Sequence, residues 1–175
     1  LEHAGSEAEK AHIINHYLDG FKSTMYRQTM FAEFEKMTHE MVERGEGLTA
    51  EKLCGIYHQL NELYFGEEME LDSYIDMEWA RIPHFYTPFY VYQYATGYGA
   101  ATAISRKILN GEEGIIEKYR QFLKGGNSMD CIDLLKLCGV DMTEPQPVAD
   151  ALTVFGEYLD QMENITKIRK KVTEN

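Results

Sequence analysis

Proline, cysteine and basic residues are scarce in this sequence of 175 residues. It holds 4 prolines, 3 cysteines and 17 lysines and arginines against 29 aspartates and glutamates, which gives a formal net charge of −12. Because an acidic protein repels phosphate groups, nucleic acids and anionic membranes are poor partners. No uncharged apolar run approaches the roughly 20 residues that cross a bilayer, and no basic segment leads into an apolar one. The sequence therefore predicts neither a membrane-spanning helix nor a signal peptide.

The three cysteines include no CxxC pair, and each stands in an apolar segment with helical spacing: Cys54, Cys131 and Cys138. Such cysteines are typical of reduced core residues, so we expect a cytoplasmic protein. A chain of this length buries enough apolar surface for one hydrophobic core. We therefore expect a single helical domain over residues 1–175. Because the chain starts with Leu and residues 1–5 follow no structural pattern, we expect the chain to be a piece of a longer protein. Residues 1–5 and 172–175 are expected to be disordered or tag-derived.

Apolar residues recur at intervals of three and four along most of the chain, which is the period of an α-helix. Gly45 and Gly47 end the first helical stretch, Thr49 is a typical N-cap for the next helix, and Gly66 ends that helix. Pro83 predicts a loop around residues 82–84. No segment alternates apolar and polar residues, so the fold class is all-α, a multi-helix bundle. The remaining helices are predicted at residues 89–109, 112–123, 129–137 and 147 to about 171.

Residues 84–101 are unusually rich in tyrosine. A helix that starts after Pro88 would carry Tyr90 and Tyr94 on one face, about 6 Å apart along its axis. A buried tyrosine hydroxyl without a partner costs about 1–3 kcal/mol, so a core normally prefers Phe or Leu at such positions. Aromatic stripes at helical spacing also pack cores, which is the alternative interpretation. The histidine just before the stretch, His84, favours a functional site.

Histidine spacing does not complete a metal site in this sequence. His12 and His16 stand four residues apart, but a zinc-protease helix carries glutamate directly after the first histidine, in the pattern HExxH. The segment that starts at His39 has that glutamate and ends in Glu43 instead of histidine. We interpret both segments as solvated helix faces. Motifs for a serine nucleophile, a dinucleotide or a phosphate loop are absent as well.

Three segments, in this order along the chain, are similar to the C-terminal part of oligoendopeptidase F. They are residues 27–35, residues 84–101 and residues 133–142. Oligoendopeptidase F belongs to the thimet-oligopeptidase group of zinc metallopeptidases. The similarity extends from about Lys10 to about Ile165, so it covers nearly the whole chain.

The resemblance implies that this chain is the distal helical half of a zinc metallopeptidase catalytic domain. In that family the histidines of HExxH and a downstream glutamate hold zinc, and we expect these ligands to precede Leu1 in a full-length parent. Zinc is therefore expected in the parent and no cofactor in this chain, which alone is predicted to be inactive. The resemblance further implies catalytic roles for His84, Tyr90 and Tyr94, and substrate binding by Tyr92, Gly97 and Tyr98.

The preferred hypothesis is thus a fragment of a cytoplasmic, zinc-dependent oligopeptidase that hydrolyses internal bonds of short peptides. Its expected partners are short peptide substrates, the missing N-terminal part of the same enzyme, and a second copy bound through exposed apolar surface. Two alternatives stay open at this point. One is a stand-alone helical protein-interaction module without catalytic activity, and the other is a helical bundle that binds an aromatic cofactor among its tyrosines.

Overall fold

The computed structural model describes the backbone of residues 1 and 3–173 and the side chains of residues 1 and 3–167. Within these residues the chain forms seven α-helices and no β-strand, which confirms the all-α prediction. The α-helices are α1 (Glu7–Phe21), α2 (Arg27–Glu43), α3 (Ala50–Phe65), α4 (Tyr92–Leu109), α5 (Ile115–Gly125), α6 (Cys131–Leu137) and α7 (Gln146–Thr173). None of the helices in the described part of the chain combines the length and the apolar character that crossing a membrane requires.

Three shorter helical elements lie between the α-helices. A π-helical segment, Lys22–Tyr26, leads from α1 into α2. Two 3₁₀-helices, Ser73–Arg81 and Pro83–Tyr86, lie between α3 and α4 and are separated by Ile82. The boundary before Pro83 is confirmed, whereas the predicted loop is wrong for Pro83 and His84, which belong to the second 3₁₀-helix. Because a 3₁₀-helix is more tightly wound than an α-helix and usually short, these two elements connect α3 to α4 through compact turns.

The chain divides into two compact units. The central unit is Lys22–Ala95, and the terminal unit comprises residues 1–21 together with the described residues from Thr96 onward. The prediction of a single domain stays a prediction. So does the predicted disorder of residues 1–5 and 172–175, since residues 2, 174 and 175 lie outside the described residues.

The central unit has an aromatic core built from α2, α3 and the 3₁₀-helices. Phe34 meets the fully buried Tyr57 edge to face, with ring centroids 5.3 Å apart. Phe85, from the second 3₁₀-helix, packs on Phe31 and Phe34 at 5.6 and 5.3 Å. Aromatic pairs at these distances contribute about 0.5–1.5 kcal/mol each beyond the area they bury. The core therefore fixes the segment that carries His84, the residue before Phe85.

The terminal unit is held by contacts of α1 with α7 and by a cluster around α4. Phe21 stacks on Phe155 with centroids 4.5 Å apart, and Tyr17 packs on Tyr158 at 4.6 Å. Burial, followed by the neighbouring tyrosines, raises the pKa of Tyr17 to about 12. The buried members of the α4 cluster are Ala100, Ala103, Ile104, Cys138 and Val140.

Several predicted helix starts are wrong, and the backbone conformation or a capping side chain accounts for each. Helix α4 begins at Tyr92 and not at residue 89, because Phe89 adopts φ 57°, outside the right-handed helical region. Helix α5 begins at Ile115 instead of residue 112, since Gly114 before it has φ 72°. Helix α6 begins at Cys131 instead of residue 129, because the Asp130 side chain caps it by accepting the Ile132 amide. The predicted N-cap Thr49 is confirmed, with its hydroxyl accepting the Lys52 amide at 3.3 Å.

The expectation that all three cysteines are core residues is correct for one of them. Cys138 is fully buried and Cys54 is half-buried, whereas Cys131 is exposed. Cys131 is the first residue of α6, where the chain leaves an exposed turn capped by Asp130. All three are free thiols.

A histidine on the surface of the central unit joins α3 to the first 3₁₀-helix. The Nδ1 atom of His58 lies 2.8 Å from Asp76 Oδ1, and its Nε2 atom lies 3.4 Å from Glu62 Oε1. The hydrogen bond with Asp76 is the main cause that raises the pKa of His58 above its ordinary value. Since the folded pKa exceeds the unfolded one of about 6.5, the contact stabilises the fold fully below that pH. Its contribution disappears as the pH rises through the folded pKa.

We expect an NMR titration of the His58 ring to show a midpoint above that of an unfolded histidine. Asp76→Asn should lower the midpoint, because it removes the charged partner at 2.8 Å. Glu62→Gln is the matched control and should lower it less, since Glu62 lies farther from the ring. A midpoint that Asp76→Asn leaves unchanged would contradict this account.

Candidate active site

One histidine and two tyrosines come together near the C-terminal end of the central unit. His84 lies in the second 3₁₀-helix, Tyr90 in the turn that follows, and Tyr94 in the first turn of α4. Their sequence neighbours are the anchors, because Phe85 packs against the aromatic core and Val91 is fully buried. With those side chains directed inward, the rings of the three residues stand on the outer side. We call these three residues the His-Tyr-Tyr cluster.

The three rings of the His-Tyr-Tyr cluster contact one another. The His84 and Tyr90 rings are nearly parallel, 7° apart in plane, with centroids separated by 5.6 Å. Tyr94 meets both edge to face, at 5.4 Å from His84 and 5.7 Å from Tyr90. The Tyr94 hydroxyl lies 3.1 Å from His84 Nε2, a hydrogen bond whose donor is set by the tautomer of the imidazole.

The cluster is open to solvent. Tyr90 and Tyr94 expose 40% and 37% of their surface, and His84 is half-buried. Contact with the Tyr90 hydroxyl, followed by partial burial, raises the pKa of Tyr94 above its ordinary value. Because that ordinary value is already about 10, Tyr94 holds its proton at neutral pH. Its hydroxyl is therefore a hydrogen-bond donor at a surface that a ligand can reach.

The expectation that Tyr90 and Tyr94 share one helical face is wrong in its local geometry. Tyr90 precedes α4, because the left-handed turn at Phe89 delays the helix start. The two rings nevertheless lie in contact, with centroids 5.7 Å apart. Such a group of two phenols and an imidazole can direct several donors at one oxygen atom, which is the chemistry of an oxyanion site.

The predicted substrate-binding residues lie in different surroundings. Tyr92, in the central unit, is 51% exposed at the start of α4. Gly97, in the terminal unit, is exposed and borders an apolar cleft of about 630 Å³ that α4, α5 and α6 line. Tyr98, also in the terminal unit, is half-buried and meets Phe21 edge to face at 5.5 Å. Roles in substrate binding stay predictions for all three.

Two buried carboxylates of the central unit were missed by the sequence analysis. Glu35 is only 4% exposed, and its side chain accepts the Phe89 amide at 2.7 Å. Glu78 is 7% exposed and accepts hydrogen bonds from Arg27, Tyr57 and Arg81. A sequence signal exists for Glu35, since it stands four residues after Phe31 and therefore shares its buried helical face. Buried carboxylates need partners, so this position indicates a hydrogen bond to another part of the chain.

The described residues of this chain do not form a zinc site. No group of three or more histidines, cysteines, aspartates or glutamates among them is arranged to hold a metal ion. His12 and His16 are both exposed on α1, and the His39 ring packs on Phe89 with centroids 4.7 Å apart. Structural and catalytic zinc sites use at least three protein ligands.

Comparisons with known proteins give the family of this chain. Residues 1–154 match the family described as peptidase family M3. Oligopeptidase PepF of Bacillus subtilis (strain 168) is 49% identical over 165 residues, which cover 94% of this chain and 25% of that protein. Group B oligopeptidase PepB of Streptococcus agalactiae is 44% identical, with 94% of this chain and 28% of that protein covered.

A solved structure agrees with these relatives. The crystal structure of oligoendopeptidase-F from Enterococcus faecium matches with a TM-score of 0.92 and 44% identity, over 95% of this chain and 32% of that one. The resemblance to oligoendopeptidase F is thus confirmed, and the chain spans about a quarter of the length of the curated relatives described above. On the match over residues 1–154 and these identities, the chain belongs to peptidase family M3.

Proposed function

We propose that this chain is part of a cytoplasmic, zinc-dependent oligopeptidase that hydrolyses internal bonds of short peptides. Its own contribution is a wall of the substrate cleft that carries His84, Tyr90 and Tyr94. The observation that supports this role is the open convergence of an imidazole and two phenol rings within 5.4–5.7 Å of one another. Membership of a peptidase family supports the reaction class. Because the chain spans a quarter of its relatives, the activity belongs to the longer parent protein.

Hydrolysis of a peptide bond creates negative charge on the carbonyl oxygen as a water oxygen adds to the carbonyl carbon. A donor placed at that oxygen forms a hydrogen bond that strengthens as the charge develops. Tyr94 suits this role because its proton is retained at neutral pH and its hydroxyl is accessible. Tyr90 offers a second hydroxyl beside it, with the ring held parallel to the imidazole. When His84 Nε2 carries the imidazole proton, it orients Tyr94 by donating to the phenol oxygen, which leaves the phenol proton for the substrate. Alternatively, His84 donates that one proton to the substrate directly.

Zinc, in peptidases of this kind, polarises the carbonyl group and lowers the pKa of a bound water. Since the described residues lack a ligand set, we propose that the zinc ligands lie in the part of the parent outside this chain. The isolated chain is then inactive. His84, Tyr90 and Tyr94 would face that zinc site across the substrate.

The surface of the chain supports a place within a larger protein. Long apolar side chains are exposed in both units, with Leu63 70% exposed in the central unit and Leu109 84% exposed in the terminal unit. Exposed apolar patches mark surfaces that bind other protein surfaces. We propose that the remaining part of the parent covers some of these residues, and that isolated chains pair through exposed apolar side chains.

The test uses the complete parent protein and a short fluorogenic peptide. We expect cleavage that a chelator abolishes and added zinc restores, and no cleavage by the 175-residue chain alone. His84→Ala should lower kcat of the complete protein about 100-fold, because a polar group at the reacting oxygen is lost. His12→Ala is the control and should leave kcat unchanged, since His12 is an exposed residue of α1. Full activity of His84→Ala, or chelator-resistant cleavage, would overturn the proposal.

A further inference from the structure

Glu35 is a buried carboxylate that holds a distant turn of the chain. It lies on α2 with 4% of its surface exposed, and its Oε1 atom accepts the Phe89 amide at 2.7 Å across 54 residues of sequence. A hydrogen bond to a charged acceptor is about twice as strong as one between neutral groups. Burying a carboxylate costs free energy unless the group is paired and hydrogen-bonded. A buried glutamate therefore indicates a specific structural or functional role.

The turn that Glu35 holds has an uncommon backbone conformation. Phe89 has φ 57°, and within the described residues it is the one non-glycine residue with positive φ. For a bulky side chain this conformation is unfavourable and persists only where surrounding contacts enforce it. Two contacts do so here, both from α2. Glu35 accepts the Phe89 amide, and one turn further His39 packs against the Phe89 ring at 4.7 Å.

The position of Phe89 sets the direction of Tyr90. Tyr90 is the next residue, its neighbour Val91 is fully buried, and its ring lies parallel to His84 at 5.6 Å. A right-handed helical Phe89 would start α4 early and turn the Tyr90 side chain to another direction. The alignment of Tyr90 with His84 therefore depends on the turn that α2 holds in place.

We propose that Glu35 is a positioning residue of the active site: its bond to the Phe89 amide fixes the left-handed turn that stacks Tyr90 on His84. This inference rests on the proposed function for its catalytic consequence. It also gives a physical role to residues 27–35, a segment that is similar to oligoendopeptidase F and has no part in the chemistry above. Glu35 touches no reacting atom in this scheme and acts through the backbone of Phe89.

A matched control stands two residues away on the same helix. Glu33 is half-buried and accepts the Tyr64 hydroxyl at 2.7 Å, a contact within the central unit that does not involve residues 84–94. Burial, followed by the Glu33 carboxylate, raises the pKa of Tyr64 well above its usual range, so this bond is also maintained. Removing Glu33 therefore weakens the unit without touching the Phe89 turn.

The structural test compares Glu35→Leu with Glu33→Gln in the 175-residue chain by NMR. In the wild-type chain and in Glu33→Gln we expect nuclear Overhauser contacts between the His84 and Tyr90 rings and slow exchange of the Phe89 amide proton. In Glu35→Leu we expect the ring contacts to be lost and the Phe89 amide to exchange at least 10-fold faster, as for a loop amide. Retained ring contacts in folded Glu35→Leu would overturn the inference.

Glu35→Gln keeps an acceptor oxygen and serves as the conservative variant. Its amide oxygen accepts less strongly than a carboxylate, so Phe89 should exchange at an intermediate rate while the ring contacts persist. If Glu35→Leu fails to fold, this variant decides, because a Phe89 exchange rate equal to that of the wild type would contradict the proposed bond.

The kinetic test uses the complete peptidase. Glu35→Leu should lower kcat about 10-fold to 100-fold with little change in KM, because a displacement near 1 Å of a group at the reacting centre has effects of this size. Glu35→Gln should recover most of kcat, and Glu33→Gln should leave kcat unchanged. If Glu35→Leu loses the ring contacts and keeps its kcat, Glu35 still holds the Phe89 turn. The catalytic function of Tyr90 is then rejected. If Glu35→Leu retains the ring contacts, the positioning role of Glu35 is rejected. Failure of the inference about Glu35 and failure of the proposed function are therefore distinguishable.

Discussion

Replacing Tyr94 by phenylalanine in the complete peptidase is expected to lower kcat about 10²-fold to 10³-fold, with a much smaller change in KM. The substitution keeps the ring that packs edge to face on His84 and Tyr90 and removes only the hydroxyl. That hydroxyl bonds His84 Nε2 at 3.1 Å before substrate arrives. Since its bond to the carbonyl oxygen strengthens as charge develops, its loss raises the barrier more than it weakens substrate binding.

The comparison variants separate this effect from a loss of aromatic surface. Tyr90→Phe should also lower kcat more than it raises KM, because its hydroxyl stands beside that of Tyr94. Tyr86→Phe is the control, since Tyr86 lies in the same 3₁₀-helix as His84 and is 79% exposed. Steady-state rates with one peptide substrate give kcat and KM for all three. Wild-type kcat in both Tyr94→Phe and Tyr90→Phe would exclude the oxyanion role.

The helices were predictable from the sequence because their signals are local. The three- and four-residue spacing of apolar positions identifies the α-helices, and the Thr49 hydroxyl and the positive φ of Gly66 mark the two ends of α3. Pro83 likewise marks the boundary between the 3₁₀-helices. Each of these signals acts within a few residues of the feature it predicts.

The start of α4 was not predictable in the same way. Pro88 suits the first turn of a helix, and Phe89 is a residue that rarely adopts positive φ. The observed turn depends on Glu35 and His39, contacts from a helix about fifty residues earlier in the chain. Local patterns carry no information about such a contact. For this reason the prediction that Tyr90 lies within α4 was wrong.

The candidate site residues were predicted partly from the density of tyrosine and partly from the resemblance to a known family. The density of tyrosine after His84 indicated a site, and the resemblance to oligoendopeptidase F selected Tyr90 and Tyr94 from the stretch. The structure brings those two and His84 together. Their catalytic roles stay predictions. The buried Glu35 was missed because helical spacing marks its position as buried but does not identify the distant amide that it binds.

The buried Glu78 carboxylate is the second position where a large effect is expected, and the effect is on folding. Its side chain is 6% exposed and accepts hydrogen bonds from Arg27 of α2, Arg81 of the first 3₁₀-helix, and Tyr57 of α3 at 2.7 Å. One group thus joins three elements of the central unit. Burial, followed by the bond to Glu78, raises the pKa of Tyr57 well above its usual range, so the phenol keeps the proton that it donates.

Glu78→Ala is expected to lower the free energy of unfolding by about 3 kcal/mol, because it leaves the buried Tyr57 hydroxyl without its acceptor and removes the anion between Arg27 and Arg81. For a chain of this size that loss corresponds to a fall in Tm of roughly 6–12 °C. The Tyr57 hydroxyl contributes most to the penalty, since Tyr57 is fully buried, whereas the Arg81 side chain is 73% exposed and can return to water.

Two further variants apportion the network, each measured by thermal unfolding of the 175-residue chain. Tyr57→Phe removes one donor and leaves Glu78 with two arginines, so a loss of about 1 kcal/mol is expected. Arg81→Ala should cost less than about 0.5 kcal/mol, as for an exposed ion pair. If Glu78→Ala and Arg81→Ala destabilised the chain equally, the carboxylate would be a surface partner only. The expected order instead makes Glu78 the link that ties α2 and α3 to the first 3₁₀-helix.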